Sequence, residues 1–456
     1  MAGLAKLTAV AIGIAATVGC ARTRADNILI VTLDTTRRDH VSTYGYARET
    51  TPALDGLARR ATVFDNAFAQ ETNTNPSHAS LFTGQYPHVH GSLDNGYVLQ
   101  DGRVTLAETL RSAGFRTAAF VSGYTMLAKA TGLERGFEVY DDRLPGPKRR
   151  GADTVDRAIA WLDGLRGRER FCLFVHLYDA HGPYEAPPGY ENRFRSTAPG
   201  APLRAMPDYQ RKWGADGALI LDSNVYVDLY DAAIRYQDDA LARLLDAVDL
   251  DRTAVVVWGD HGETLAERYW GLAHGGEVFD EQIRIPLVVH VPGAEPGRVA
   301  ELVETVDLLP TLLEVVRVAT PQGASFSGRS LAPLWAAGEP PARTEVFATA
   351  RADTHRYADR GYRFDGIRRI HTVREPRWKL TVYPGLERDY LELYDLDRDP
   401  GETSNLAERH PERAQQLRAK LDAWLSDASA VSTPAELSDE ELDKLRSLGY
   451  VGGDGH

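Results

Sequence analysis

Asn27-Ile28-Leu29-Ile30-Val31-Thr32-Leu33-Asp34 decides the fold: an apolar, largely β-branched run that stops at a carboxylate. A strand without polar alternation is covered on both faces, the situation of a parallel sheet flanked by helices. Four further runs read the same way, at residues 117–121, 171–177, 253–258 and 285–291. Helical patterns lie at 52–61, 106–112, 154–165 with Asp153 placed as a cap, and about 225–248. This order predicts an α/β fold with a mostly parallel central sheet covered by helices. No internal repeat is visible.

Working outward, polar residues follow the strands: Asp34 after the first, Asp179 and His181 after the third, Asp260 and His261 after the fourth. In open α/β sheets ligands bind outside the carboxyl ends of the strands, so these residues are expected on one face. Beyond about residue 320 the texture shifts to Pro-, Gly- and Arg-rich connections, with a strand-like piece at 377–383 and a polar helix at 411–424. We expect a catalytic domain over 26–338 and a smaller C-terminal α+β subdomain over 339–430, divided near Glu339-Pro340-Pro341. A C-terminal helix and tail, 431–456, follow, with an amphipathic helix at 437–450.

The 456 residues are 43% hydrophobic, enough to fill a large core, and the formal net charge is −13. That charge, without any basic stripe, excludes a nucleic-acid partner. An anionic substrate would need local positive charge, such as a metal. Residues 1–25 read as an export signal and short linker: Lys6, then an apolar run over 7–18 that is too short for a membrane-spanning helix. Its end, Thr17-Val18-Gly19-Cys20, resembles a bacterial lipoprotein signal, which implies acylation of Cys20 and a lipid anchor in a bacterial cell envelope, facing the periplasm or the exterior. A plain secretory peptide is the alternative. The other cysteine, Cys172, lies in an apolar run and reads as a core residue.

Asp34 offers a hard oxygen ligand, and Gly259-Asp260-His261-Gly262 adds an oxygen and a nitrogen, a donor set suited to a divalent cation. The segment 72–87 contains Thr74-Asn75-Pro76-Ser77-His78-Ala79-Ser80-Leu81, then Thr83-Gly84, a polar turn entering a helix. A hydroxyl there can sit on the metal while the helix N-terminus faces an anion, or Thr74 or Ser77 can simply cap the helix.

This segment is similar to the sulfatase family signature, Cys or Ser, any residue, Pro, Ser, Arg, then Ala-Ser-Leu and Thr-Gly. The resemblance runs on through Arg38-Asp39-His40, Asp179-Ala180-His181-Gly182-Pro183-Tyr184, Ile285-Pro286-Leu287 and Glu392-Leu393-Tyr394-Asp395-Leu396. It implies the fold shared by sulfatases and alkaline phosphatases. It implies Asp34, Thr74, Asp260 and His261 as metal ligands, Thr74 as nucleophile, and His181 and His274 as groups acting on the transferred anion. His78, Asp179, His181 and His274 form the expected substrate-binding set. Three positions depart from the family: Thr35 replaces a second acid, His78 replaces the Arg that orients the nucleophile, and His274 replaces a common Lys.

A typical sulfatase oxidises its Cys or Ser to formylglycine. Thr74 carries a methyl on its β-carbon, so oxidation would give a ketone and no formylglycine is expected; the hydroxyl must attack directly. The sequence therefore predicts a metal-dependent hydrolase of sulfate or phosphate esters, with phosphoester favoured on chemistry. The alternatives are an arylsulfatase-like sulfuric ester hydrolase without formylglycine and a non-catalytic anion-binding lipoprotein. Ca²⁺, Mn²⁺ and Zn²⁺ all suit the donors, and a second ion on Asp179, His181 and His274 is a further option. Substrates of small-molecule or glycan type are expected.

Overall fold

A computed structural model describes residues 24–167, 169–204, 206–268, 271–335, 343–352, 368–426 and 432–447. Cys20, the expected boundary at 339–341 and residues 448–450 of the expected C-terminal helix lie outside them. The main sheet has nine described strands: β1 (Asn27–Leu33), β2 (Thr62–Phe68), β3 (Arg116–Phe120), β4 (Val139–Asp141), β5 (Phe171–Leu177), β6 (Thr253–Trp258), β7 (Arg284–Ile285), β8 (Leu287–His290) and β9 (Gly297–Glu304). Their order is β7-β2-β8-β6-β1-β5-β3-β4, with β9 also beside β2. β1 pairs in parallel with β5 and β6, and β3 continues the parallel array between β5 and β4.

Every residue of β1, β5 and β6 is buried, because helices cover both faces. Ile28, Ile30, Phe174 and Trp258 face a core closed by α2 (Thr74–Thr83), α3 (Leu106–Ser112) and α6 (Leu308–Val315). Leu29, Val31, Val175 and Val257 face the opposite core, closed by α1 (Pro52–Ala58), α4 (Gly151–Asp163) and α5 (Ser223–Asp246). Each such side chain contributes roughly 1.5–3 kcal/mol on burial.

Three sequence expectations change. The run 285–291 is split by Pro286 into β7 and β8, and both are antiparallel to their neighbours. Asp153 does not cap α4; it lies in the first turn of a helix that begins at Gly151. β2, β4 and β9 escaped the sequence reading because half-buried or exposed positions interrupt their apolar pattern.

A second, antiparallel sheet contains β10 (Val346–Ala352), β11 (Arg368–Arg374), β12 (Trp378–Tyr383) and β13 (Tyr390–Asp395). Proline at the first turn starts α7 (Pro411–Leu425), which packs Leu417 and Leu421 against Val373, Leu380 and Leu393. This sheet touches the main-sheet unit beside α2, where the Thr349 amide donates to the Gln70 carbonyl at 2.9 Å.

The segment 432–447 then returns to the main-sheet unit. Thr433 and Pro434 pair with Val98 and Tyr97, the Ala435 amide donates to Gly96 O at 2.7 Å, and α8 (Asp439–Ser447) buries Leu445 against Tyr124, Leu127 and Ala130. Among the described residues no helix is long and apolar enough to cross a membrane.

Candidate active site

β1 and β6 are parallel neighbours, so the residues that follow them, Asp34 and Asp260, emerge side by side. α2 starts at the same end of the sheet, with all ten of its residues buried. Asp34, Asp260 and His261 each offer a ligand atom, and these atoms lie within 4.8 Å of one another. The Thr74 hydroxyl donates to Asp34 Oδ2 at 3.3 Å, while Ser77 Oγ donates to the Asp260 carbonyl at 2.7 Å. Neither hydroxyl caps α2.

The surrounding hydrogen bonds orient these groups. Asp34 Oδ2 also accepts from His176 Nε2 at 2.9 Å. Asp260 Oδ1 accepts from the amides of Thr35 (3.0 Å) and His261 (2.9 Å). His261 Nδ1 donates to Gly262 O at 2.9 Å, which leaves Nε2 with its lone pair. Asp34 Oδ1, Asp260 Oδ2 and His261 Nε2 are buried without a hydrogen-bond partner. Three such atoms converging would be costly unless a cation meets them, and two carboxylates with an imidazole are the donors a divalent cation takes. Burial pushes the Asp34 carboxyl up to about 7, and burial followed by the Asp34 charge raises Asp260. A cation would relieve both.

Close backbone approach fixes the ligand loop. A Cβ on Gly259 would sit 2.8 Å from Thr36 O and 2.9 Å from Pro286 Cδ, and one on Gly262 would sit 2.0 Å from Glu281 O. Thr35 has φ of +51°, a left-handed conformation unfavourable for a β-branched residue. Its amide is thereby aimed at Asp260, strain located where the ligands are set.

His181 and His274 come together beside the ligands. Their rings are 5.0 Å apart, and His274 lies 4.7 Å from His261. His181 Nδ1 donates to Gly182 O at 2.7 Å, and its ring stacks on Tyr178 at 4.3 Å and Tyr209 at 6.1 Å. Burial and the neighbouring His274 hold it well below the usual histidine range. His274 Nδ1 donates to Glu263 Oε1 at 3.1 Å.

Two expected substrate-binding residues are elsewhere. His78 lies beneath the ligands: Nδ1 donates to Thr74 O at 2.7 Å, Nε2 accepts from Thr32 Oγ1 at 3.0 Å, and the ring packs against Phe174, His176 and Trp258. Burial pushes it down to about 3, so it is neutral and directed into the core. Asp179 turns away to α4, both of its oxygens accepting from the Gly151 amide at 3.1 Å. Arg37 is an internal tie, bound to Asp39, Glu267 and Glu263 O.

The sequence reading missed His176 and Glu263. Register offers a signal for the first: Thr32 pairs with His176 on one side and Trp258 on the other, so all three share the α2 face.

The family model described as Sulfatase matches residues 26–318, and the one described as N-sulphoglucosamine sulphohydrolase, C-terminal, matches residues 270–430. The chain is 26% identical over 417 residues to a choline-sulfatase of Rhizobium meliloti (strain 1021), covering 78% of this chain and 77% of the relative. It is 26% identical over 481 residues to the multifunctional alkaline phosphatase superfamily protein PehA of Trinickia caryophylli, covering 84% and 91%. Among solved structures, the phosphonate monoester hydrolase of Agrobacterium radiobacter superposes with a TM-score of 0.72 at 22% identity, covering 91% of this chain and 99% of that one. At that identity the likeness concerns the fold.

Proposed function

The chain belongs to the sulfatase family, and from that membership and the geometry of the site we propose that it is a metal-dependent hydrolase of phosphate or sulfate esters with Thr74 as the nucleophile. The carrying observation is the convergence of the unpartnered Asp34 Oδ1, Asp260 Oδ2 and His261 Nε2 beside the Thr74 hydroxyl at the start of a buried helix. These residues would hold a divalent cation, Ca²⁺, Mn²⁺ or Zn²⁺. Such an ion supplies positive charge that lowers the pKa of a nearby hydroxyl and offsets charge on the ester.

The chain's own groups do the rest. Thr74 Oγ1 attacks phosphorus while the bond to the leaving alcohol breaks, the α2 N-terminus facing the anion. Water then attacks the phosphothreonine and releases phosphate, restoring the hydroxyl. His181 and His274, each engaged at Nδ1 and side by side next to His261, would meet the transferred anion. His176 and Glu263 are positioning residues, the first for Asp34 and the second for His274.

Phosphoester turnover is the favoured chemistry because the methyl on Thr74 blocks the aldehyde route. Sulfate-ester hydrolysis without formylglycine is the second reading, favoured by the match to a choline-sulfatase. Small-molecule and glycan-type anionic esters are the proposed substrate class. Assay of purified, metal-reconstituted protein on matched aryl phosphate and aryl sulfate tests this, with faster phosphate turnover expected. Strong sulfatase activity from an unmodified Thr74 would reverse the preference.

We also propose that Cys20 is acylated and anchors the protein to a bacterial envelope membrane, on the strength of the short apolar run that ends there. Replacing Cys20 with Ala should then move the protein into soluble fractions; retention on membranes would assign the anchor elsewhere.

A further inference from the structure

We propose a second anion-binding site, separate from the Thr74 centre, in the seam between the catalytic domain and the C-terminal sheet. A groove of about 430 Å³ opens there, lined by Arg38 and Arg284 from the catalytic domain and Arg374 from β11. None of Asp34, Thr74, Asp260 or His261 lines it; the ligand loop shields them, with Gly262 packed against Glu281 and Arg37.

Two other arginines border the groove and are saturated. Arg37 binds Asp39, Glu267 and Glu263 O, and Arg268 grips Glu281 through two nitrogens and Glu402 O through the third. Arg38, Arg284 and Arg374 are not. Among the described residues Arg284 donates to Asp65 O and to the Asn66 side chain, and its Nε has no hydrogen-bond partner there. Arg38 reaches Asp65 at 3.5 Å, lies over the Tyr44 ring at 4.4 Å, and also has an unpartnered Nε. Arg374 donates to Asp280 Oδ2 and to Glu375 O, both at 3.2 Å.

The carboxylates these arginines reach already serve other cations. Asp65 is bound by Arg298, and Asp280 by Lys379, which also binds Glu402. Arg38 and Arg374 thus share Asp65 and Asp280 with Arg298 and Lys379, so N–H donors outnumber carboxylate oxygens where Arg38, Arg284 and Arg374 meet. Burial, and then repulsion from Arg38, push the Arg284 guanidinium down to about 10 against the pull of Asp280 and Asp65, which marks the three arginines as close neighbours.

Guanidinium groups present paired N–H donors that match the oxygens of sulfate and phosphate. The ligand is therefore a tetrahedral oxyanion, either the free inorganic ion or an esterified group on an extended anionic molecule. The inference stands on these side chains alone and does not need Thr74 to be the nucleophile.

Calorimetric titration of the full, metal-loaded chain with inorganic sulfate and with inorganic phosphate tests it. Arg284→Gln should weaken the binding step by about tenfold or more, from the loss of charge-assisted hydrogen bonds, while Thr74→Ala changes it less than about twofold. Arg374→Gln, with an unchanged circular dichroism spectrum, serves as the second variant should Arg284→Gln not fold. Repeating the titration with a disulfated heparin disaccharide separates the sources: a free-ion site binds the inorganic ion at least as well, and a site for an extended molecule binds the disaccharide more tightly. Binding unchanged in both arginine variants, binding lost only with Thr74→Ala, or no binding of any probe would overturn the proposal.

Discussion

Replacing Thr74 with alanine separates chemistry from architecture. Thr74 is fully buried, and its hydroxyl makes one hydrogen bond, the 3.3 Å contact to Asp34 Oδ2. Losing that bond costs about 1 kcal/mol, and losing the buried methyl costs about as much again. No helix cap goes with it, since Asn73 occupies the cap position and makes no side-chain cap bond. The expected stability loss is therefore about 2 kcal/mol, a shift of a few degrees in Tm. If Thr74 Oγ1 attacks the ester, kcat falls on the order of 10⁴ to 10⁶, as for other enzymes stripped of an activated nucleophile. Initial rates on an aryl phosphate at saturating metal, paired with thermal melts, measure both quantities, and Thr74→Ser should keep part of the activity. An alanine variant within about tenfold of the parent rate would refute the reasoning.

Chelation should abolish turnover and lower Tm by several degrees, because an ion at a hundred times its Kd contributes about 2.7 kcal/mol; restored melting and activity on adding back a divalent ion complete the check. Gly262→Ala places a Cβ 2.0 Å from Glu281 O, a backbone atom that cannot yield freely, so urea unfolding should show a loss above about 2 kcal/mol together with weaker metal binding. His78→Arg, which restores the family's residue, should destabilise the protein by roughly 1–3 kcal/mol or more and leave aryl sulfatase activity no higher, since the site is buried among Phe174, His176 and Trp258. Acid stability follows from His90, which burial pushes down to about 3 while it accepts from the Ser92 amide. Its depressed folded pKa gives stability that is present above about 6.5 and lost as pH falls, roughly 2 kcal/mol by pH 5; urea titrations should show a shallower pH slope in His90→Asn.

The strands that carry the ligands were legible because burial on both faces leaves only apolar residues, as in β1, β5 and β6. Asp34, Asp260 and His261 stood out as charge at the ends of such runs. Direction was harder to read. His78 lies in a matched motif near Thr74, but four residues along a helix is one turn back under the same face, so its ring bonds the Thr74 carbonyl instead of a substrate. Asp179 looks poised after β5, yet the start of α4 claims it. His176 was hidden inside an apolar strand, and only its lateral pairing with Thr32 reveals its face. Glu263 carries no signal of its own in the sequence, and its role shows only where the chain brings His274 onto it.

The returning segment at 432–447 gives the site a place in time. Gly96 and Tyr97, which it pairs with, adjoin the groups that hold Asn75, the residue after Thr74: the Asn75 amide donates to Asn95 Oδ1 at 2.8 Å and its side chain to Tyr97 O at 3.0 Å. Ribosomes make the nucleophile turn early and its outer brace near the end. The sheet has all its strands in hand well before then, but Gly96–Val98, next to the groups that hold Asn75, gain their pairing partner only when the distal segment docks, a long-range closure that chains make slowly. Bracing of the strand beside Asn75 is therefore tied to residues more than three hundred positions downstream of Thr74, and a chain interrupted before them would carry a folded sheet with that strand unpaired.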